Sequence, residues 1–145
     1  MKVLVVSDSH GKVDNLIRAV ELTHPDYVLH LGDCQRDLEK LRQAFPVLPM
    51  EGVPGNCDYG SCDQPERLIE LGGVRILMLH GHTRGVKSDV MRAVWAAREC
   101  GAQVGEHVNT PCRQRAEQSQ CRHGAKASVR GWPASIAFWR CPQPS

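Results

Sequence analysis

No stretch of this sequence approaches the ~20 consecutive apolar residues that span a bilayer. The apolar run from Val3 to Val6 gives way at once to Ser7, Asp8, Ser9 and His10. Neither a membrane span nor a secretory leader is expected, and a cytoplasmic location is. A strong charge of either sign is also missing. The formal net charge is +2 over 145 residues, too little to argue for a nucleic-acid or membrane partner. The seven cysteines, Cys34, Cys57, Cys62, Cys100, Cys112, Cys121 and Cys141, include no C-x-x-C pair, which disfavours zinc knuckles and redox dithiols. With an odd count and no export signal, free thiols are expected rather than a disulfide framework.

What is present reads as one alternating β/α domain over residues 1–145, well patterned only to about Val104. Met1 to Val6 is continuously apolar, as in a strand buried on both faces. Asn15 to Leu22 carries Leu16, Ile17, Ala19 and Val20 at helical spacing. Tyr27 to Leu31 predicts a second strand, Asp37 to Phe45 a helix with Leu38, Leu41 and Phe45 on one side, and Val47 to Met50 a third strand. This order implies βαβ units and a mostly parallel sheet. Glu66 to Leu71 and Val74 to Leu79, joined by Gly72 and Gly73, carry the strongest hairpin signal in the chain. A helix from Ser88 to Cys100 follows, with Ser88 as N-cap, Gly101 just past its end, and Val90, Met91, Val94, Ala97 and neighbouring Trp95 on its apolar face.

From Gly105 onward the composition changes. The last 41 residues contain no leucine, against 12 in the first 104, and Lys plus Arg outnumber Asp plus Glu by 6 to 2. That basic excess lacks a dense block, so a nucleic-acid-binding tail is disfavoured against a poorly packed end.

Four polar positions each follow an apolar strand directly: Asp8 with His10, Asp33, Asn56, and His80 with His82. The carboxyl ends of parallel strands lie together, and ligands bind in the crevice outside them. Taken singly, these residues have ordinary readings as helix caps, turn residues or surface histidines. Four strand ends finishing the same way point instead to a joint site. Carboxylate, imidazole and amide donors suit Mn, Mg, Fe, Zn or Ni rather than Cu(I).

Four motifs carry this pattern: SDSHG at Ser7 to Gly11, LGD at Leu31 to Asp33, GNCD at Gly55 to Asp58 and HGH at His80 to His82. In them the chain resembles the calcineurin-like metallophosphoesterases, and more narrowly their small bacterial and archaeal phosphodiesterases. The resemblance implies a four-layer α/β/β/α sandwich with a degraded C-terminal part. It also implies a centre of two divalent metal ions, manganese first. Asp8 and His10 would hold one metal, Asp33 would bridge, and Asn56 and His80 would hold the other, with His82 supporting from outside. The implied chemistry is metal-assisted hydrolysis of a phosphodiester or a small phosphomonoester. Asp33→Asn should then lower metal occupancy and hydrolysis together, with Asp37→Asn as a neutral comparator.

The resemblance also implies a final GHTH motif after the last helix. The best match places His107 on its first histidine and Asn109 on its second, and Ala127 with Ser128 echo a later turn before a degraded strand from Arg130 to Phe138. A diverged tail and a stretch read out of frame both account for this. Gly81 to Arg84 also reads GHTR, but its place beside His80 fits the HGH motif, leaving Thr83 and Arg84 as loop residues. Many superfamily members carry a histidine where Cys57 stands, so no protein general acid is assigned. The expected partner is a small phosphate ester, with homo-oligomerisation left open. The rival expectation is a metal-impaired scaffold of the same fold, as a retromer subunit is. A zinc-stabilised tail using Cys112, Cys121, His123 and Cys141 has irregular spacing and is disfavoured.

Overall fold

Alternation of side chains along the strands builds the layers. The structure, a computed structural model, describes residues 1–89, 91–106 and 136–140. In β1 (Lys2–Val6), Val3 and Val5 point to one face of the sheet and Leu4 and Val6 to the other. Both faces are buried, which is why the strand reads as a continuous apolar run. β1 pairs in parallel with β2 (Tyr27–His30), and β2 with β3 (Met50–Gly52). The helices between them, α1 (Val13–Thr23) and α2 (Gln35–Ala44), cover one face through Leu16, Ala19, Val20, Leu38 and Leu41.

The hairpin forms as expected, with β4 (Glu66–Leu71) antiparallel to β5 (Val74–Leu79) around Gly72 and Gly73. Ile76 and Met78 of β5 face Val3, Val5, Leu29 and Leu31 of the first sheet, while Leu77 and Leu79 face α3 (Met91–Glu99). β6 (Val104–Glu106) adds in parallel to β5, giving a second sheet ordered β4-β5-β6. β7 (Ile136–Arg140) closes the first sheet antiparallel to β1, in the order β3-β2-β1-β7. Three buried clusters thus lie between four layers: α1 and α2, first sheet, second sheet, α3. This is the expected α/β/β/α sandwich. None of the helices among the described residues is long and apolar enough to cross a membrane.

Three local expectations are corrected. The third strand is Met50–Gly52 rather than Val47 to Met50. Val47 is 96% exposed, and Pro49, which has no N–H, contributes only its carbonyl, to Val28. The last helix buries Ala93, Ala96 and Ala97, leaving Met91 and Trp95 45% and 55% exposed. Small side chains face the sheet because the helix lies close to it; a Cβ on Gly105 would stand 3.5 Å from that of Ala97. Its first turn is capped by Asp89, whose carboxylate accepts the Met91 N–H at 2.9 Å, in place of Ser88. The expected strand from Arg130 is described only as Ile136–Arg140, and His107, Asn109, Ala127 and Ser128 lie outside the described residues.

Candidate metal centre

The β1 and β2 strand ends turn sharply into their loops. Asp8, His10, Asp33 and Cys34 have φ of 53°, 45°, 60° and 89°, four of the five positive-φ non-glycine residues among those described. Left-handed backbone costs an ordinary side chain about 1–2 kcal/mol, and such strain gathers where surroundings hold a functional geometry. The third strand end comes up against the second. A Cβ on Gly32 would lie 2.7 Å from the Gly55 Cα, and one on Gly55 would lie 2.8 Å from the Asp33 Cγ. Only glycine at both positions lets the LGD and GNCD loops meet.

Asp58 holds that meeting together. Its Oδ2 accepts the N–H groups of Asp33 (2.9 Å) and Gly55 (2.8 Å), and its Oδ1 those of Cys34 (2.9 Å) and Gln35 (2.8 Å). It therefore caps the N-terminus of α2 from across the fold. Burial works to raise its carboxyl pKa, but the bonds from Gly55, Gln35, Cys34 and Asp33 outweigh it and hold the group below the usual carboxylate value.

The proposed ligands converge. One donor atom each from Asp8, Asp33 and His80 lies within 4.8 Å of the others, and so does one each from His10, Asp33 and Cys57. Asp33 belongs to both sets. It is buried, with Oδ2 at 3.6 Å from His80 Nε2 and 3.8 Å from His10 Nε2, while Oδ1 accepts the Cys57 N–H at 2.9 Å. The resemblance grouped Asp8 with His10 and Asn56 with His80, so this partition of donors differs. Cys57 was read only as a substituted position, although GNCD sets it beside Asn56.

The proton on His80 makes the donor set interpretable. Its Nδ1 lies 2.7 Å from the Leu31 carbonyl, which can only accept, so Nδ1 carries hydrogen. Its Nε2 then presents a lone pair, yet Asn56 Oδ1 lies 2.9 Å away and Asp33 Oδ2 3.6 Å. The Asn56 amide is oriented by its Nδ2, which donates to Cys57 Sγ at 3.4 Å. Three acceptors therefore face one point. Oxygen and nitrogen donors converging in this way fit a divalent ion. The backbone carbonyl behind the ring is the usual orienting partner of a metal-binding histidine.

Supporting groups surround the ligands. Ser7 Oγ donates to Asp8 Oδ2 at 2.7 Å. His30 is fully buried; Gly32 N–H donates to its Nδ1 at 3.2 Å, leaving Nε2–H for Ser9 Oγ at 3.3 Å. Burial lowers its pKa to about 4, against smaller opposing effects of Asp58, Asp37 and Asp8. His82 meets His80 edge-on, 5.4 Å between ring centres. Arg84, expected as an ordinary loop residue, makes a two-pronged pair with Glu66, Nε to Oε1 at 2.6 Å and Nη2 to Oε2 at 2.9 Å.

Asp37 is a further correction. It is fully buried, and its Oδ2 accepts the Gly11 N–H at 2.8 Å, tying α2 to the SDSHG loop. It is no neutral comparator for Asp33. Cys34, Cys57, Cys62 and Cys100 are free thiols, as expected. A groove of about 650 Å³ opens beside the centre, lined in part by His10, Arg36, Cys57, Tyr59 and Ser61.

The family model for the calcineurin-like phosphoesterase superfamily domain matches residues 1–107. The Bacillus subtilis protein named "Probable metallophosphoesterase YsnB" is 35% identical over 108 residues, 72% of this chain. The chain spans only 60% of that relative's length. Among solved structures, a predicted phosphoesterase from Streptococcus pneumoniae is similar at TM-score 0.57 and 26% identity, covering 73% of this chain and 60% of that one. Wild-type Vps29 of Entamoeba histolytica, in complex with zinc, is similar at TM-score 0.58 and 19% identity, covering 94% of this chain and 71% of that one. That likeness concerns the fold alone.

Proposed function

Because this chain belongs to the calcineurin-like phosphoesterase superfamily, we propose that its strand-end loops form a two-cation centre that hydrolyses small phosphate esters, phosphodiesters foremost. The observation that carries this reading is Asp33, whose buried carboxylate is shared by two donor sets. Divalent cations bound there would activate water and neutralise charge on the phosphoryl oxygens. Manganese is the first candidate, with Mg, Zn, Fe and Ni as alternatives. The proposed ligands are Asp8, His10, Asp33, Asn56 and His80, with His107 added from outside the described residues.

The chain's own groups supply position. Leu31 fixes the His80 tautomer, Cys57 turns the Asn56 oxygen toward His80, and Asp58 holds the Asp33 backbone. Pre-set donors are what stabilise charge developing in a transition state. The adjoining groove, with Arg36 and Tyr59 on its wall, has room for a small ester.

Hydrolysis of bis(p-nitrophenyl) phosphate with added Mn²⁺ tests the reading, comparing the unaltered chain with Asp33→Asn and with Asp14→Asn, an exposed residue of α1. Asp33→Asn should lose both bound metal and turnover, and Asp14→Asn neither. Equal behaviour of the two variants would remove the bridging role. Tight folding without metal or turnover in any form would favour the scaffold reading instead.

A further inference from the structure

The two donor sets that share Asp33 are chemically unlike. Asp8, Asp33 and His80 offer two oxygens and a nitrogen, whereas His10, Asp33 and Cys57 offer nitrogen, oxygen and sulfur. The sulfur is no bystander on a loose loop. The Cys57 N–H is bonded to Asp33 Oδ1 at 2.9 Å, so the residue is anchored to the carboxylate both sets use. Its Sγ accepts the Asn56 Nδ2 at 3.4 Å and lies within 4.8 Å of a His10 ring nitrogen.

We propose that Cys57 is a thiolate ligand of the cation held by His10 and Asp33, which makes one of the two cation positions softer than the other. This rests on the two-cation reading of Asp33. Around a tetrahedral ion, with bonds of ~2.0–2.3 Å to nitrogen, oxygen and sulfur, donors stand ~3.5 Å apart. The three atoms here lie within 4.8 Å, and His10 Nε2 stands 3.8 Å from Asp33 Oδ2. His10 and Cys57 are both exposed, so rotation of their side chains can close the remaining distance. On binding, the S–H bond breaks, the sulfur keeps the electron pair as donor to the cation, and the proton leaves to solvent. A divalent ion favours the thiolate of a cysteine that coordinates it. The sulfur-bearing position then favours Zn, Fe or Co, and the oxygen-rich one tolerates Mn or Mg.

The full chain, stripped of metal and loaded with Co²⁺, gives a direct reading, because a thiolate bound to cobalt(II) adds a charge-transfer band in the near ultraviolet. The band should be present in the unaltered chain and in Cys34→Ser, and absent in Cys57→Ser while weaker visible cobalt bands persist. Zinc affinity should fall about tenfold or more in Cys57→Ser, with manganese affinity changed less. Bound cobalt with no such band, or a band that survives Cys57→Ser, overturns the proposal and leaves the two-cation reading standing. Failure of cobalt to bind any of the three forms overturns both.

Discussion

Replacing Gly55 with alanine isolates the contact on which the centre depends. Gly55 does not have the positive φ that strains an alanine, so the added methyl acts by volume alone. It would sit 2.8 Å from the Asp33 Cγ, where relaxed carbon contacts are ~3.5–4.0 Å. The carboxylate must therefore move by roughly 1 Å, and the nearby Asp33 backbone N prevents relief by side-chain rotation alone. Overpacking of this kind costs about 1–3 kcal/mol, a fall in Tm of roughly 2–10 °C. Metal ligands tolerate about ±0.2 Å, so Mn²⁺ affinity should fall much further in proportion than stability. Gly73→Ala is the comparison, because Gly73 has φ of 77° and nothing within 4 Å of its added Cβ. It should lose about 1–2 kcal/mol through left-handed strain and keep its metal affinity. Thermal unfolding without metal and calorimetric titration with Mn²⁺ read the two effects separately. Wild-type Mn²⁺ affinity in Gly55→Ala would refute the argument that this close approach places Asp33.

Stability should also fall on acidification through the His30 range. The native group titrates at about 4 and the unfolded one near its ordinary value, so between roughly pH 6.5 and 4 only the unfolded state takes up this proton. His30 therefore contributes a loss of up to about 1.4 kcal/mol per unit as pH falls, about 3 kcal/mol in all. Urea unfolding of His30→Gln across that window should show a flatter profile, and an unchanged slope would contradict the assignment. Asp58→Ala should cost about 1–3 kcal/mol, because four N–H groups lose their acceptor although water reaches part of the site. A change in urea midpoint equivalent to less than about 0.5 kcal/mol would mean that water replaces the carboxylate fully.

The strands, helices and hairpin were legible in the sequence because they rest on local signals, whereas the four-layer sandwich came only from the family resemblance. The Gly72–Gly73 turn between two apolar runs fixes the hairpin register, and the unbroken run in β1 reports burial on both faces. Asp8, Asp33 and Asn56 follow parallel strands of the first sheet, whose ends share one edge, whereas His80 reaches them from β5 of the second sheet. What escaped was set by contacts between distant segments. Asp58 looks like a turn residue until its 23- to 25-residue reach to α2 is seen. Asp37 follows two polar residues and reads as exposed, yet Gly11 closes over it. Gly55 reads as a flexible turn, whereas its role is to leave room for Asp33. The face of α3 was read correctly at Ala97 but missed Ala93 and Ala96, because the largest apolar residues, Met91 and Trp95, drew the reading away from the small side chains that a close sheet requires.

Anomalous diffraction from crystals equilibrated with excess Co²⁺ tests the central claim most directly. Two peaks per chain are predicted, ~3.5–4 Å apart, on either side of the Asp33 carboxylate, one near Asp8 and His80 and the other near His10. Absence of any peak at these loops, or cobalt bound with Asp33 outside its coordination shell, would contradict it.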